Sequence, residues 1–336
     1  MEGEKPFKNK GGETMRKLLS VVLVLVAILG LLFATVALGA EGYPSKPIKL
    51  VVTYNPGGGN DSTARVFSKY AQEFLGEPLI VTNIDGAGGV VGARNVLESK
   101  PDGYTLLWMH EALITGHYAG MQNFTWKDFT PICQAASTAD VIVVKADSPI
   151  KSVSDLIAMA KVNPKKIRMP INIGATTHFE AAAIDVASGG GNLVLVSSGG
   201  GADRIQKLLG GFYEAASLNL ATALGYIKGG QFRALAVTSP KRSPFLPAVP
   251  TMLESGYKVK KPYTLNVYGP PNLPKAMAAK LSQAFEKMCK DPRVKADLAK
   301  FASAPSYLNT GQLVSLLQEE DEIFGNLAKV AGIGKK

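Results

Sequence analysis

Two glycine-rich stretches carry the residue types that can hold an anion. The first, Pro56-Gly-Gly-Gly-Asn-Asp61, follows an apolar run and precedes a helical pattern; the second, Asp85-Gly-Ala-Gly-Gly89, repeats that placement one strand later. Glycine lets the backbone approach a ligand without side-chain hindrance, and a helix start offers unpaired N–H groups and the positive end of the dipole. The chemistry on offer is recognition of negative charge by the main chain. Spacing excludes the nucleotide versions of it. A P-loop needs a Lys that neither stretch supplies. The G-x-G-x-x-G pattern fails because its third position is Ser62 counted from Gly57 and Gly59, and Val91 counted from Gly86 and Gly88.

Bond-making chemistry finds no frame either. No serine stands in G-x-S-x-G: two places before Ser188 is Val186, and two before Ser197 is Leu195. His110, Glu111 and His117 have neither the i, i+4 pair of a zinc helix nor a third ligand. His178, in a polar turn before an Ala-rich run, is expected to hydrogen-bond at a helix start. No catalytic residue, metal or cofactor is expected. Cys133 and Cys289 are too few and too distant for a disulfide framework; they either pair in an oxidising compartment or are two separate buried thiols.

The elements that must position the glycine stretches alternate along the chain. Strands are expected at Ile48 to Tyr54, Pro78 to Asn83 and Tyr104 to Met109, with helices at Asp61 to Leu75 and Val90 to Ser99 between them. Repeated βαβ units imply a parallel sheet covered by helices, with both glycine stretches at carboxyl ends of adjacent strands and so on one crevice. A second block has strands near Val141 to Val144, Ile167 to Ile173, Leu193 to Val196 and Ala234 to Val237, and a helix from Ser152 to Ala160. A proline-rich connector covers Ser239 to Tyr257, and helices at Pro274 to Cys289 and Asn309 to Lys329 follow.

The amino-terminal 40 residues stand outside this pattern. Lys5, Lys8, Lys10, Arg16 and Lys17 precede the uncharged run Leu18 to Leu38, and the small residues Ala37, Gly39 and Ala40 close it. That is the order of a secretory signal, although a run of this length could also be retained as a membrane anchor. The net charge of +10 comes from scattered basic residues, which suits anionic ligands or simple solubility. With export expected and no recognition module present, nucleic acid is excluded as a partner.

Taken together the motifs resemble one family. Pro56 to Asp61 (P-G-G-x-x-D), Asn83 to Gly89 (N-x-x-G-A-G-G) and Pro101 to Leu107 (P-D-G-Y-T-L-L) are similar to the tripartite tricarboxylate transporter receptors, the Bug periplasmic proteins. Gly174 to His178, Leu208 to Gly211, Arg233 to Ser239 and Val249 to Met252 follow in the family's order. The resemblance implies a type II periplasmic-binding-protein fold, α/β and two-lobed, each lobe a mostly parallel sheet flanked by helices. It implies a signal peptide at 1–40, a first lobe of 41–140 plus 266–336, and a second lobe of 141–265. The implied function is extracytoplasmic capture of a small organic carboxylate and delivery to the permease subunits of a tripartite transporter, by a monomer that is not an enzyme. A sensor that docks on a membrane histidine kinase needs the same closed surface and is the alternative.

The resemblance also assigns the grip on the ligand. In the first lobe it falls on Gly57, Gly58, Asn60 and Asp61 and on Gly86, Ala87, Gly88 and Gly89. In the second it falls on Thr176, Thr177, Ser197, Ser198 and Gly199. Here the chain departs from the family pattern: Ala175 stands where a Ser is usual, and Val196-Ser-Ser-Gly199 replaces P-Y-K-G. The far end of the ligand is therefore expected to be read differently.

Overall fold

Three apolar strands, β1 (Ile48–Val52), β2 (Leu79–Asn83) and β3 (Thr105–Met109), pair in parallel, with Ile48 opposite Leu79 and Lys49 opposite Thr105. They lie in the computed structural model of the chain, which describes residues 42–257 and 263–334. The basic and apolar amino-terminal segment, and the question of its cleavage, fall outside the described residues.

β1 leads through the first glycine stretch into α1 (Gly59–Leu75), and β2 leads through a 3-10 turn at Ala87–Gly89 into α2 (Val90–Leu97). β3 is followed by α3 (Ala112–Tyr118), and then β4 (Thr130–Thr138) leaves the sheet. After Ala139 the chain enters β5 (Asp140–Lys145), the centre of a separate three-stranded sheet, and α4 (Val153–Val162). A parallel pair follows, β6 (Ile167–Ile171) and β7 (Leu193–Ser197), each with its helix: α5 (Thr176–Ala187) and α6 (Gly201–Leu209). β8 (Ala216–Asn219), α7 (Leu220–Lys228) and β9 (Phe232–Val237) complete this half. β10 (Tyr263–Gly269) returns to the first sheet, followed by α8 (Lys275–Lys290), α9 (Pro292–Ala299), β11 (Ala304–Leu308) and α10 (Thr310–Ala331).

The strand order is β11-β4-β10-β3-β1-β2 in the large sheet and β8-β5-β9 in the small one. The expected α/β architecture, with sheets flanked by helices, is present, but its sheets are less parallel than expected. β4 leaves toward the second half and β10 comes back from it, so the two run antiparallel and β10 is antiparallel to β3 as well. β5 and β9 make the same exit and return on the other side. Parallel pairing is kept where a crossover helix intervenes, in β1 to β3 and in β6 and β7.

Most of the core separates by half. Ile142, Val144, Leu156, Met169, Ala181 and Ile184 pack in the second half, while Leu107, Leu113, Tyr268, Leu313 and Phe324 pack in the first. Helix α5 belongs to both. Its Phe179 turns away from Ala181 and Ile184 and enters the first cluster, edge-on to Phe324 of α10 with ring centroids 5.5 Å apart. Burying an aromatic ring at such a joint contributes on the order of 3–5 kcal/mol relative to alanine. Phe179→Ala is accordingly expected to lower unfolding stability by about that amount, which urea denaturation measures; a change below about 1 kcal/mol would mean that the joint carries little.

Candidate functional site

Parallel pairing brings the carboxyl ends of β1, β2 and β3 to one edge, and their loops are bound to one another. Asn83 Nδ2 donates to Asp61 Oδ1 at 2.9 Å and to the Tyr54 carbonyl at 2.9 Å. Asn55 Nδ2 donates to Asp85 Oδ2 at 2.7 Å, and the Tyr54 hydroxyl donates to the Gly88 carbonyl at 2.9 Å. The second loop stands in left-handed backbone throughout: Gly86, Ala87, Gly88 and Gly89 all have positive φ, including the non-glycine Ala87 at 49°. Such a run curls successive N–H groups toward one side, the concavity that suits an anion.

Two helix starts meet at this edge without a side-chain cap, α1 after Gly58 and α2 after Gly89. The second half supplies two more, α5 after Ala175 and α6 after Gly200. Side-chain caps are supplied by Ser152 on α4, Asn219 on α7, Asp291 on α9 and Asn309 on α10, while α3 and α8 also begin without one. The N–H groups of an uncapped first turn have no partner within the helix. The two halves touch here as well. A Cβ placed on Gly59 would lie 2.8 Å from Asn219 Oδ1, and one on Gly88 would lie 3.6 Å from the Ile173 carbonyl.

Several expected ligand contacts are committed to the loops themselves. Asp61 accepts from the Gly57 N–H at 2.9 Å, from Arg65 Nε at 2.9 Å and from Asn83. Burial works to raise its pKa, but these donors outweigh it and hold the carboxyl below its usual range. Asp61 thus ties the first loop to β2, and the Gly57 N–H is spent on it. The Gly89 N–H donates to the Gly86 carbonyl at 3.0 Å. Ser198 Oγ and the Gly199 N–H both donate to Asp203 Oδ2, at 2.6 and 3.0 Å. The Ser198 bond first, then Lys207 and the Gly199 N–H, hold the Asp203 carboxyl down to about 2. Ser197 is exposed.

Gly58, Asn60 and Asp61 lie at the start of α1, and Ala87 and Gly88 in the 3-10 turn before α2. Thr176 and Thr177 are buried at the start of α5, where Thr177 Oγ1 accepts from the Asn172 N–H at 3.1 Å. His178 Nδ1 accepts from the Gly174 N–H at 3.4 Å, the helix-start bond expected of it, and burial lowers its pKa and keeps it neutral.

Sequence reasoning missed the aromatic floor and one cation. His110 stacks between Tyr54 and Tyr263, with centroids 5.2 and 4.7 Å away, and the Tyr263 hydroxyl donates to Asn60 Oδ1 at 3.1 Å. Facing them from α6 is Arg204, only 9% exposed, within electrostatic reach of Tyr54, Tyr263, Asp140 and Glu180. The signal was present: Arg204 lies four residues before the buried Leu208, on the apolar face of an amphipathic helix where a charge is out of place. Cys133 and Cys289 are free thiols, the latter pushed up to about 12 by burial.

Two substitutions test this geometry. In Gly59→Ala the new methyl collides with Asn219, whose Oδ1 is held by the Ala221 N–H at 3.0 Å; an affinity loss of about tenfold by calorimetry is expected, with a melting shift no larger than a lost cap gives, about 1 kcal/mol. Because the folded pKa of Asp61 is depressed, its contribution is present above the ordinary aspartate range near pH 4 and is lost as pH falls through the lowered value. Thermal melts of Asp61→Asn should therefore show a shallower fall between neutral and acid pH than those of the unsubstituted chain, and parallel curves would refute the assignment.

A family model described as the tripartite tricarboxylate transporter family receptor matches residues 63–333. The UPF0065 protein in the gbd 5' region of Cupriavidus necator is 33% identical over 305 residues, 88% of this chain and 93% of the relative. Protein BugT of Bordetella pertussis is 33% identical over 248 residues, 72% of this chain and 75% of BugT. The solved structure of the periplasmic binding protein BugD superposes with a TM-score of 0.77 at 29% identity, covering 87% of this chain and 99% of BugD. An R. palustris protein solved with adipate gives a TM-score of 0.79 at 25% identity, covering 87% of this chain and 99% of that one. With a type II periplasmic-binding-protein fold and matches spanning most of its length, the chain belongs to the tripartite tricarboxylate transporter receptor family, with the Bug periplasmic proteins among its relatives.

Proposed function

We propose that the protein is an extracytoplasmic solute receptor that closes two lobes on a small organic carboxylate and delivers it to the permease of a tripartite transporter. The lobes are taken as 44–138 with 263–334, and 140–257, within a few residues of the division expected from sequence. The observation that carries this reading is the set of helix starts without a side-chain cap at α1, α5 and α6, with the left-handed run Gly86 to Gly89 beside that of α1. Membership of a receptor family and the adipate held by a similar structure support it. The basic-then-apolar amino-terminal segment fits an exported receptor.

In this reading Gly58, Asn60, Asp61, Ala87 and Gly88 offer main-chain donors to one carboxylate, and Thr176 and Thr177 offer the first turn of α5. Charge-assisted hydrogen bonds are worth roughly 1.5 to 3 kcal/mol each, so three or four support micromolar binding after the costs of association. In this reading capture leaves the ligand unchanged.

A thermal-shift screen of mono-, di- and tricarboxylates tests the reading. A ligand at 100 times its Kd is expected to stabilise the fold by about 2.7 kcal/mol. The absence of any shift, together with no saturable heat in calorimetry across the panel, would sink it.

A further inference from the structure

We propose that Arg204 is the specificity-determining residue of the second lobe, pairing with a second anionic group at the far end of the ligand. This rests on the carboxylate reading above. Taking a guanidinium out of water is costly unless it is paired. Arg204 is nine-tenths buried, yet it makes no ion pair within 4.0 Å among the described residues. Nη1 donates to the Gly199 carbonyl at 3.3 Å, and Nε finds no acceptor. An arginine placed to serve the fold looks different in this same chain: Arg168 holds Glu214 through Nη2 and Nε at 2.6 and 3.1 Å.

Arg204 sits at the end of the first turn of α6, beneath the uncapped start after Gly200, within electrostatic reach of Tyr54 and Tyr263 of the opposite lobe. Tyr263 is bonded to Asn60 in the first turn of α1, so a tyrosine near the guanidinium also touches the first glycine loop. Asp140 and Glu180 lie within its electrostatic reach and offset part of its desolvation, which lets the charge persist without a ligand. A planar fork with an unused donor matches a carboxylate in preference to a neutral polar group.

Calorimetry with straight-chain dicarboxylates of three to six carbons, each compared with its own monoamide, tests the assignment on the mature chain. The diacid of the fitting length is expected to bind about tenfold to a hundredfold more tightly than its monoamide, the worth of one charge-assisted hydrogen bond. In Arg204→Gln that preference should collapse toward one while the monoamide keeps its affinity. Equal binding of diacid and monoamide by the unsubstituted chain would overturn the proposal and leave the carboxylate reading standing; no heat from either would overturn both. An equal loss for both ligands in Arg204→Gln would make the residue a counter-charge for Asp140 and Glu180 only. Should Arg204→Gln fail to fold, Arg204→Lys keeps the charge without the fork, and an unchanged preference there would reject the role.

Discussion

A helix cannot satisfy the N–H groups of its own first turn, and the architecture turns on how this chain leaves that constraint open. At four helix starts, one of them at the edge where the halves touch, Ser152, Asn219, Asp291 and Asn309 fill the vacancy with side-chain oxygens. Where α1, α5 and α6 begin, glycine or alanine stands at the cap and no side-chain oxygen is offered, whereas at α2 the Ala87 and Gly86 carbonyls accept from Val90 and Val91. A cap contributes about 1 kcal/mol, so each omission has a cost in stability. Three omissions, at α1, α5 and α6, make sense if an external oxyanion supplies what the side chains do not.

Around those open ends the polar side chains hold backbone in place. Asp61 binds the first glycine loop to β2 through Asn83, and Asp203 folds the Ser198-Gly199 loop onto the start of α6. Both carboxylates are well supplied with donors and stay ionised. Each loop thus has its own negative charge, held by donors of that loop. The division of labour explains why Ser198 and Asp61, both polar and both at the cleft edge, are support for the cradle.

Much of this was legible in the sequence. The βαβ rhythm located β1 to β3, α1 and α2 to within a few residues, because buried parallel strands read as apolar runs and the intervening helices keep their own period. β4, β8, β10 and β11 were not legible: they are short or carry polar residues such as Gln134 and Asn266, and they are set by antiparallel pairing with distant partners. The two glycine loops were legible through composition. Whether a given hydroxyl points into the cleft or back into its loop depends on a residue five positions on, as Ser198 and Asp203 show, and composition does not carry that.

Phe179 gives the two halves a further joint besides the strand crossing at Ala139. A single ring plugs the second lobe into the other's core, three residues after the helix start at Thr176. Phe179 therefore fastens α5 to the first half, while Gly59 and Asn219 approach each other at another point of the same boundary. Thr176 and Thr177 open α5 within three residues of that ring, so whatever is held at that helix start bears directly on the joint.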